Sequence, residues 1–159
     1  MFASIPSAVL FGARGHRVTV EVHVANGLPG FHVVGLPDAS IREARDRVRA
    51  AILSSGATWP DTKITVNLAP SQQRKSGSGL DLAIAVGVLA ASDQLPAEAL
   101  AGLAFLGELG LDGSVRPLTG VAPMSGVLTD LDLVVPAGCV HEARVVSDGC
   151  VRPNQHLLE

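Results

Sequence analysis

The sequence predicts an α+β fold, a mostly antiparallel sheet packed against helices, and three observations support this prediction. Valines alternate with polar residues over residues 17–24, which is the period of a strand with one buried face. From Asp38 onward, apolar residues recur instead with the 3.6-residue period of a helix. Residues 80–91 are apolar on nearly all sides, as in a helix at the centre of a domain. Strands followed by mixed helices and strands are typical of α+β proteins.

The first elements are predicted to be strands separated by glycine-containing turns. Residues 5–11 should pair with the valine-rich strand 17–24 through a turn at residues 12–15. A second turn cluster, residues 26–30, precedes a third short strand at residues 31–34. These elements form the beginning of the predicted sheet.

The middle of the chain combines two predicted helices with one strand. Asp38 can cap a helix that Gly56 would end, and a strand follows at residues 64–68, where apolar and polar residues alternate. A polar, glycine-bearing loop over residues 70–79 then leads into the apolar helix. Ser78 lies three residues before Asp81, a spacing that resembles a capping box with Asp in place of Glu.

The remaining elements are shorter. Strands are predicted at residues 103–109 and 131–135, with a tight turn before residues 113–116 and a helix over residues 120–128. The tail from Cys139 is predicted to be irregular, with one more short strand. Because no repeat, linker or low-complexity tract interrupts the chain, residues 1–159 are predicted to form a single domain.

Composition narrows the class of protein. The chain has 159 residues, of which 47% are hydrophobic and 3% aromatic, so aliphatic side chains must build the core and base-stacking platforms are scarce. No basic segment precedes an apolar run at the start, and no apolar stretch reaches 18 residues, so a cytoplasmic protein without a membrane span is expected. Cys139 and Cys150 lack metal-ligand spacing and are expected to be reduced thiols.

Charge is unevenly distributed along the chain. Residues 1–75 hold nine Lys or Arg and five Asp or Glu, a net charge of +4, and the remaining residues have a net charge of −7. Arg42, Arg45 and Arg49 form a stripe on one face of the predicted helix. Such a stripe could contact nucleic-acid phosphates or another subunit. The alternative is a solvated helix face with Glu43–Arg47 and Arg42–Asp46 ion pairs.

Sequence patterns of catalytic or cofactor sites are missing. The phosphate-binding pattern GxxxxGK[ST] does not occur, and no histidine spacing is that of a metal site. Arg74 and Lys75 precede the start of the apolar helix and could hold an anion there, although a polar loop that only caps the helix is the favoured interpretation. Lys75 in a polar loop should stay charged, which disfavours a Ser–Lys catalytic pair. The residues therefore predict no enzyme, cofactor or metal in this chain.

Several stretches together resemble one family. They are NGLPGF at 26–31, VGLPD at 34–38, RDRVR at 45–49, ITVNLAP at 64–70, RKSG at 74–77 with LDL at 80–82, FLGEL at 105–109 and GSVRP at 113–117. In this order they resemble the N-terminal domain of the magnesium-chelatase-like AAA+ ATPases, the YifB/ComM competence-protein group. The resemblance covers nearly the whole chain.

The resemblance implies a fold and a lost activity. The family's N-terminal domain is similar to the proteolytic domain of Lon, with the fold of the second domain of the fifth small-subunit ribosomal protein. In Lon the catalytic serine follows a Lys-Asp-Gly-Pro stretch, and Gly79 stands at the similar position here. Ala122 stands where Lon has its catalytic lysine. The resemblance therefore implies a degenerate protease.

The resemblance also implies partners. The AAA+ module that binds ATP and Mg in the family is absent from this chain, which is expected to be a non-catalytic accessory domain of an ATPase that forms a homo-oligomeric ring. Its candidate contacts to DNA or to a partner are Arg42, Arg45, Arg49, Arg74 and Lys75, the last two within the loop 71–79. Two alternatives stay open: a Lon-type peptidase using Ser78 or Ser76 with Lys75, and a purely structural assembly domain. A porphyrin site is not expected.

Overall fold

A computed structural model describes all residues, 1–159. The strands are β1 (Phe2–Phe11), β2 (Arg14–Ala25), β3 (Gly30–Val34), β4 (Lys63–Ala69), β5 (Leu103–Phe105), β6 (Glu108–Leu109), β7 (Val115–Arg116), β8 (Asp132–Pro136) and β9 (Val151–Asn154). The α-helices are α1 (Ala39–Arg42), α2 (Ala44–Ser54), α3 (Asp81–Ala91), α4 (Val121–Gly126) and α5 (Val140–Val146). Two 3₁₀ helices cover Ala97–Leu100 and Ala137–Cys139.

The larger sheet has the strand order β1-β2-β4-β3. Strands β1, β2 and β4 are antiparallel neighbours, whereas β3 runs parallel to β4 at the sheet edge. The register places Ile5 opposite Val20 and Val20 opposite Leu68, and all three side chains are buried. The alternation seen in the sequence therefore produces one continuous apolar face, on which α3 packs.

The second sheet corrects the prediction of a mostly antiparallel architecture. Its three strands, in the order β5-β8-β9, are all parallel. Parallel neighbours need a long crossover, and helix α5 supplies it between β8 and β9. The tail from Cys139 is therefore not irregular as predicted, because it contains α5, and its predicted extra strand is confirmed as β9. The fold is α+β, with one mixed sheet, one parallel sheet and the small β6–β7 hairpin.

Two predicted elements are divided in the structure. The helix that begins after Asp38, which caps it by accepting from the Ile41 N–H at 3.0 Å, divides at Glu43 into α1 and α2. The predicted strand 103–109 breaks because Leu106 donates to Val134 of β8, whereas Gly107 donates to Gly79. A Cβ on Gly107 would lie 2.8 Å from a methyl of Val115, so only glycine fits this crossing. The chain thereby brings β6 to the start of α3.

The core is centred on α3. All its residues except Ala90 are buried, as the apolar pattern predicted, and they pack between the larger sheet and α2. A smaller apolar cluster lies between α4, α5 and the parallel sheet. Both cysteines are free thiols, as expected. No helix of the structure is long and apolar enough to cross a membrane.

Candidate functional site

The loop over residues 70–79 is fixed to the chain just before α1. The Lys75 N–H donates to the Leu36 carbonyl at 3.0 Å, and the Asp38 N–H donates to the Lys75 carbonyl at 3.0 Å. The Gly77 N–H donates to the Ser40 hydroxyl, also at 3.0 Å. These hydrogen bonds bring two segments that are far apart in sequence together at one surface. Arg74 therefore lies beside the residues that lead into α1.

Lys75 is predicted to be a charged side chain in a polar loop and a candidate contact residue, but it is completely buried. Its Nζ donates to the Pro70 carbonyl, and no carboxylate pairs with it. Desolvation lowers the pKa of the ammonium group. Lys75 is therefore part of the loop's interior, and we remove it from the candidate contact residues.

The partly buried Arg47 and the buried Asp81 form an ion pair that joins α2 to α3. Arg47 donates to the two carboxylate oxygens at 2.6 and 3.0 Å and to the Ser40 carbonyl at 2.8 Å. The Leu109 N–H donates to Asp81 at 3.2 Å. Burial raises the pKa of Asp81 to about 6, although the Arg47 guanidinium opposes that shift. Arg47 stays charged at all accessible pH values, so the desolvation of Asp81 decides how the pair responds to pH.

The other arginines of this region are unpaired. Arg42, Arg45, Arg49 and Arg74 are exposed, and none lies within 4.0 Å of a carboxylate. The Glu43–Arg47 contact predicted from the spacing forms at 3.7 Å, but the predicted Arg42–Asp46 pair does not. The helix face is therefore not neutralised by its own acids, and four guanidinium groups remain available to an external anion.

These four arginines lie in two pairs. Arg42 and Arg74 line a shallow depression together with residues 34–37, at the end of β3. Arg45 and Arg49 line a second depression with Trp59 and the beginning of β3. Strand β3 has five residues at about 3.3 Å each, so about 16 Å of open sheet edge runs from one pair to the other.

The two stretches compared with the catalytic segments of Lon meet in the structure. Residues 76–79 line a third depression with Leu118 and Thr119. A Cβ on Gly79 would lie 3.2 Å from a Leu118 methyl, and the Ala122 N–H donates to Glu142 at 3.0 Å. The Ser78 hydroxyl donates to Glu108 and does not cap α3, contrary to the predicted capping box. No serine hydroxyl is hydrogen-bonded to the Lys75 amine.

Two features of the candidate site could not be predicted from the sequence. Asp81 is an acid at the start of an apolar helix, and a buried carboxylate needs a cation, so its presence signals a partner. Arg47 could not be identified as that partner, because its spacing also fitted an ion pair with Glu43. Trp59 is an isolated aromatic in the sequence, with no pattern that indicates its surroundings, yet its ring centroid lies 5.8 Å from that of Phe31. No three His, Cys, Asp or Glu side chains converge in a cluster that could hold a metal ion.

Comparison with known proteins supports the resemblance drawn from the motifs. A family model described as subunit ChlI of Mg-chelatase matches residues 20–138, which contain every motif stretch. Competence protein ComM of Haemophilus influenzae is 43% identical over 159 residues, 99% of this chain and 31% of ComM. YifB of Salmonella typhimurium is 40% identical over 151 residues, 93% of this chain and 30% of YifB. YifB of Escherichia coli is 50% identical over 109 residues, 69% of this chain and 22% of YifB. The chain thus spans about a third or less of these relatives.

Proposed function

This chain belongs to the family of the Mg-chelatase subunit ChlI, in its YifB/ComM group, and from that membership we infer that it is a non-catalytic, DNA-contacting accessory domain of an ATP-driven motor. The unpaired arginines at the two ends of β3 carry the DNA part of this proposal. Their charges have no internal partner, so an external polyanion is the natural counterion. ComM is named a competence protein, and we propose that this chain also has a competence-linked role in which it contacts DNA.

The basic half of the chain supports a polyanion over a neutral partner. The domain as a whole is acidic, with a net charge of −3, yet the four arginines all belong to residues 1–75, whose net charge is +4. Non-specific association with DNA depends on the local arrangement of cations along the phosphates rather than on the net charge of the protein.

We further propose that the fold is Lon-like and that the protease site is degenerate. The depression formed by residues 76–79 with Leu118 and Thr119 joins the two stretches that would carry the serine and the lysine of an active enzyme. Glycine at position 79 and alanine at position 122 have no group that could act as nucleophile or base. Ser78 is engaged by Glu108 and Lys75 by Pro70, so neither is placed to replace them.

The motor itself is proposed to reside in an AAA+ module of the same polypeptide, which binds ATP and Mg and assembles into a homo-oligomeric ring. This chain covers 31% of ComM, so most of such a protein lies outside the residues described here. A longer protein that includes this domain is expected to hydrolyse ATP, whereas residues 1–159 alone are expected to release no phosphate from ATP. A phosphate-release assay on both proteins tests this division of roles.

The DNA contact is tested by fluorescence anisotropy with labelled single-stranded, duplex and branched DNA. Four phosphate contacts predict that duplex affinity falls about 100-fold between about 50 and 200 mM salt. The double variants Arg42→Glu/Arg74→Glu and Arg45→Glu/Arg49→Glu should each weaken binding at least about 10-fold, because each reverses two charges at the phosphates.

A matched control is available in the acidic half. Arg116 and Arg144 are also exposed and unpaired, so the variant Arg116→Glu/Arg144→Glu changes net charge equally and should leave affinity nearly unchanged. Equal losses in the control and in the β3 variants would show that only net charge matters. Lack of binding at low salt would remove the DNA contact and favour a purely structural assembly domain, which altered oligomer mass in the arginine variants would then support.

The peptidase alternative has its own test. A serine-directed phosphonate should not label the chain, because no serine hydroxyl is hydrogen-bonded to the Lys75 amine, the base that a Ser–Lys enzyme needs. Stoichiometric labelling of Ser78 that is lost in Lys75→Met would establish a Ser–Lys enzyme and overturn the accessory role.

A further inference from the structure

The chain's only tryptophan lies beside one of the arginine pairs. Trp59 is half-buried, and its inner side packs on the main core together with Phe31. The two rings are tilted by 37° at a centroid separation of 5.8 Å, so they form one aromatic unit at the beginning of the β3 edge. The chain has few aromatic residues, and its only contact between two Phe or Trp rings lies beside the unpaired Arg45 and Arg49.

The depression in front of this unit carries charges of both signs, with cations in the majority. Arg45 and Arg49 are one helical turn apart on α2 and both line it, and Asp61 is its one acid. Neither arginine lies within 4.0 Å of Asp61, so the guanidinium groups stay available. Two cations one turn apart are suited to successive phosphates of a nucleic-acid backbone.

One polar atom in the depression has no partner within the protein. Thr62 lies between this depression and another beside residues 23–26, and its hydroxyl oxygen is buried without a hydrogen bond. The accessible groups of the depression are therefore the aromatic ring and the two guanidinium groups. A nucleotide matches them, because its base offers a flat face to an aromatic ring and its phosphates offer negative charge to the arginines.

We propose that the depression formed by Phe31, Trp59, Arg45 and Arg49 is a binding site for an unpaired base of single-stranded nucleic acid. The base contacts the exposed side of Trp59, and the flanking phosphates contact the two arginines. In duplex DNA the bases are stacked inside the helix, so only the phosphate contacts remain. This inference rests on the proposed DNA contact and adds a preference for unpaired nucleotides.

Trp59 itself reports on this site, because it is the only tryptophan in the chain. Oligothymidylate is expected to quench its fluorescence. An abasic strand of equal length, with the same phosphates and no bases, should bind more weakly and leave the fluorescence nearly unchanged. These titrations need no variant and therefore do not depend on how a substitution affects folding.

Variants separate the base contact from the phosphate contact. Trp59→Ala should weaken oligothymidylate binding about 10-fold and leave duplex binding unchanged, since stacking one base contributes about that much. Trp59→Phe keeps a ring and should retain most of the affinity. Leu53→Ala, which removes another exposed apolar side chain next to Arg49, should change neither affinity.

Three results would overturn the inference. If Trp59→Ala lowers single-strand and duplex affinity equally, or lowers neither, DNA contact remains but the base site is absent. If oligoglutamate of the same charge quenches Trp59 as strongly as oligothymidylate, the depression binds an acidic peptide. If the unmodified chain binds no DNA at low salt, the proposed function fails, and the base site fails with it.

Discussion

Neighbouring arginines on α2 differ in what they contact: one pairs with a carboxylate of the protein, and the others are exposed to solvent. Arg45, Arg47 and Arg49 fall within five positions of α2, yet only Arg47 turns inward to a carboxylate. A buried ion pair that loses one partner leaves an uncompensated charge, whereas an exposed arginine can be removed at little cost. Substitution of Arg47 should therefore lower stability, whereas substitution of Arg45 or Arg49 should weaken DNA binding and leave stability nearly unchanged.

Arg47→Met is expected to destabilise the domain by about 3 kcal/mol, because Asp81 would be left buried without its cation. Arg45→Met, at an exposed position of the same helix, should change the free energy of unfolding by less than about 0.5 kcal/mol. Urea denaturation of both variants measures the difference. Equal effects would mean that Asp81 finds another partner.

The Asp81 carboxyl predicts a pH dependence of stability. Its pKa is about 6 in the folded protein, above the ordinary value of 3.8, so the folded state binds the proton more tightly than the unfolded chain. The stability that this tighter proton binding contributes is complete below pH 3.8 and is lost as pH rises through about 6. Relative to Asp81→Asn, the free energy of unfolding should fall by about 2 kcal/mol from pH 4 to pH 7. Parallel pH profiles in urea titrations would contradict this assignment.

Among the elements, α3 is packed so closely that its single glycine is required. A Cβ on Gly87 would lie 2.5 Å from a methyl of Val22, which is itself fully buried in the sheet. Gly87→Ala should therefore cost about 1–3 kcal/mol, even though alanine is the better helix former.

The control for this prediction is the same substitution in another helix. Gly126 ends α4, and a Cβ there would meet nothing within 4 Å. Gly126→Ala should be neutral or stabilise by about 0.5 kcal/mol. Thermal melts of both variants give the comparison, and stabilisation by both would show that the sheet moves to accept the extra methyl group.

Periodicity predicted the elements that have one clear buried face. The valines of β2 and the apolar run of α3 met this condition, and both were located within a few residues. The direction of β5, β8 and β9 could not be predicted, because strands of three to five residues carry no signal of their neighbours. Their parallel pairing depends on the crossover through α5.

The candidate site was likewise predictable only in part. The spacing of Arg42, Arg45 and Arg49 predicts one exposed stripe; all three are exposed, but Arg42 lies on α1 and the other two lie on α2. The burial of Lys75 depends on backbone pairing with residues 36–38, which are far from it in sequence. The position of Trp59 next to Arg45 and Arg49 also arises from tertiary packing. Local patterns therefore identified the cations but not the groups that surround them.

The molecule as a whole has two apolar cores that share strands. Strand β1 contributes Ile5 to the larger core and Ala8 to the smaller one, and β5 contributes Phe105 and Ala104 in the same way. Adjacent strand residues point to opposite faces, so neither core can lose these strands without exposing the other. We expect both cores to unfold as one cooperative unit.

Leu133→Ala tests this expectation, because Leu133 belongs only to the smaller core. The substitution should cost about 3 kcal/mol. Trp59 fluorescence, which reports on the larger core, and far-UV circular dichroism should record the same shifted midpoint. Separate transitions for the two signals would show that the cores are independent.

The open edge of β3 has a consequence for solubility. An unpaired edge strand with apolar residues is a template on which a second copy could add its own strand and begin aggregation. Exposed arginines flank both ends of this edge, so two copies approaching edge to edge would repel each other. Neutralising all four with glutamine should therefore increase light scattering at high protein concentration. The four arginines that we assign to DNA binding would then also prevent self-association of the domain while no DNA is bound.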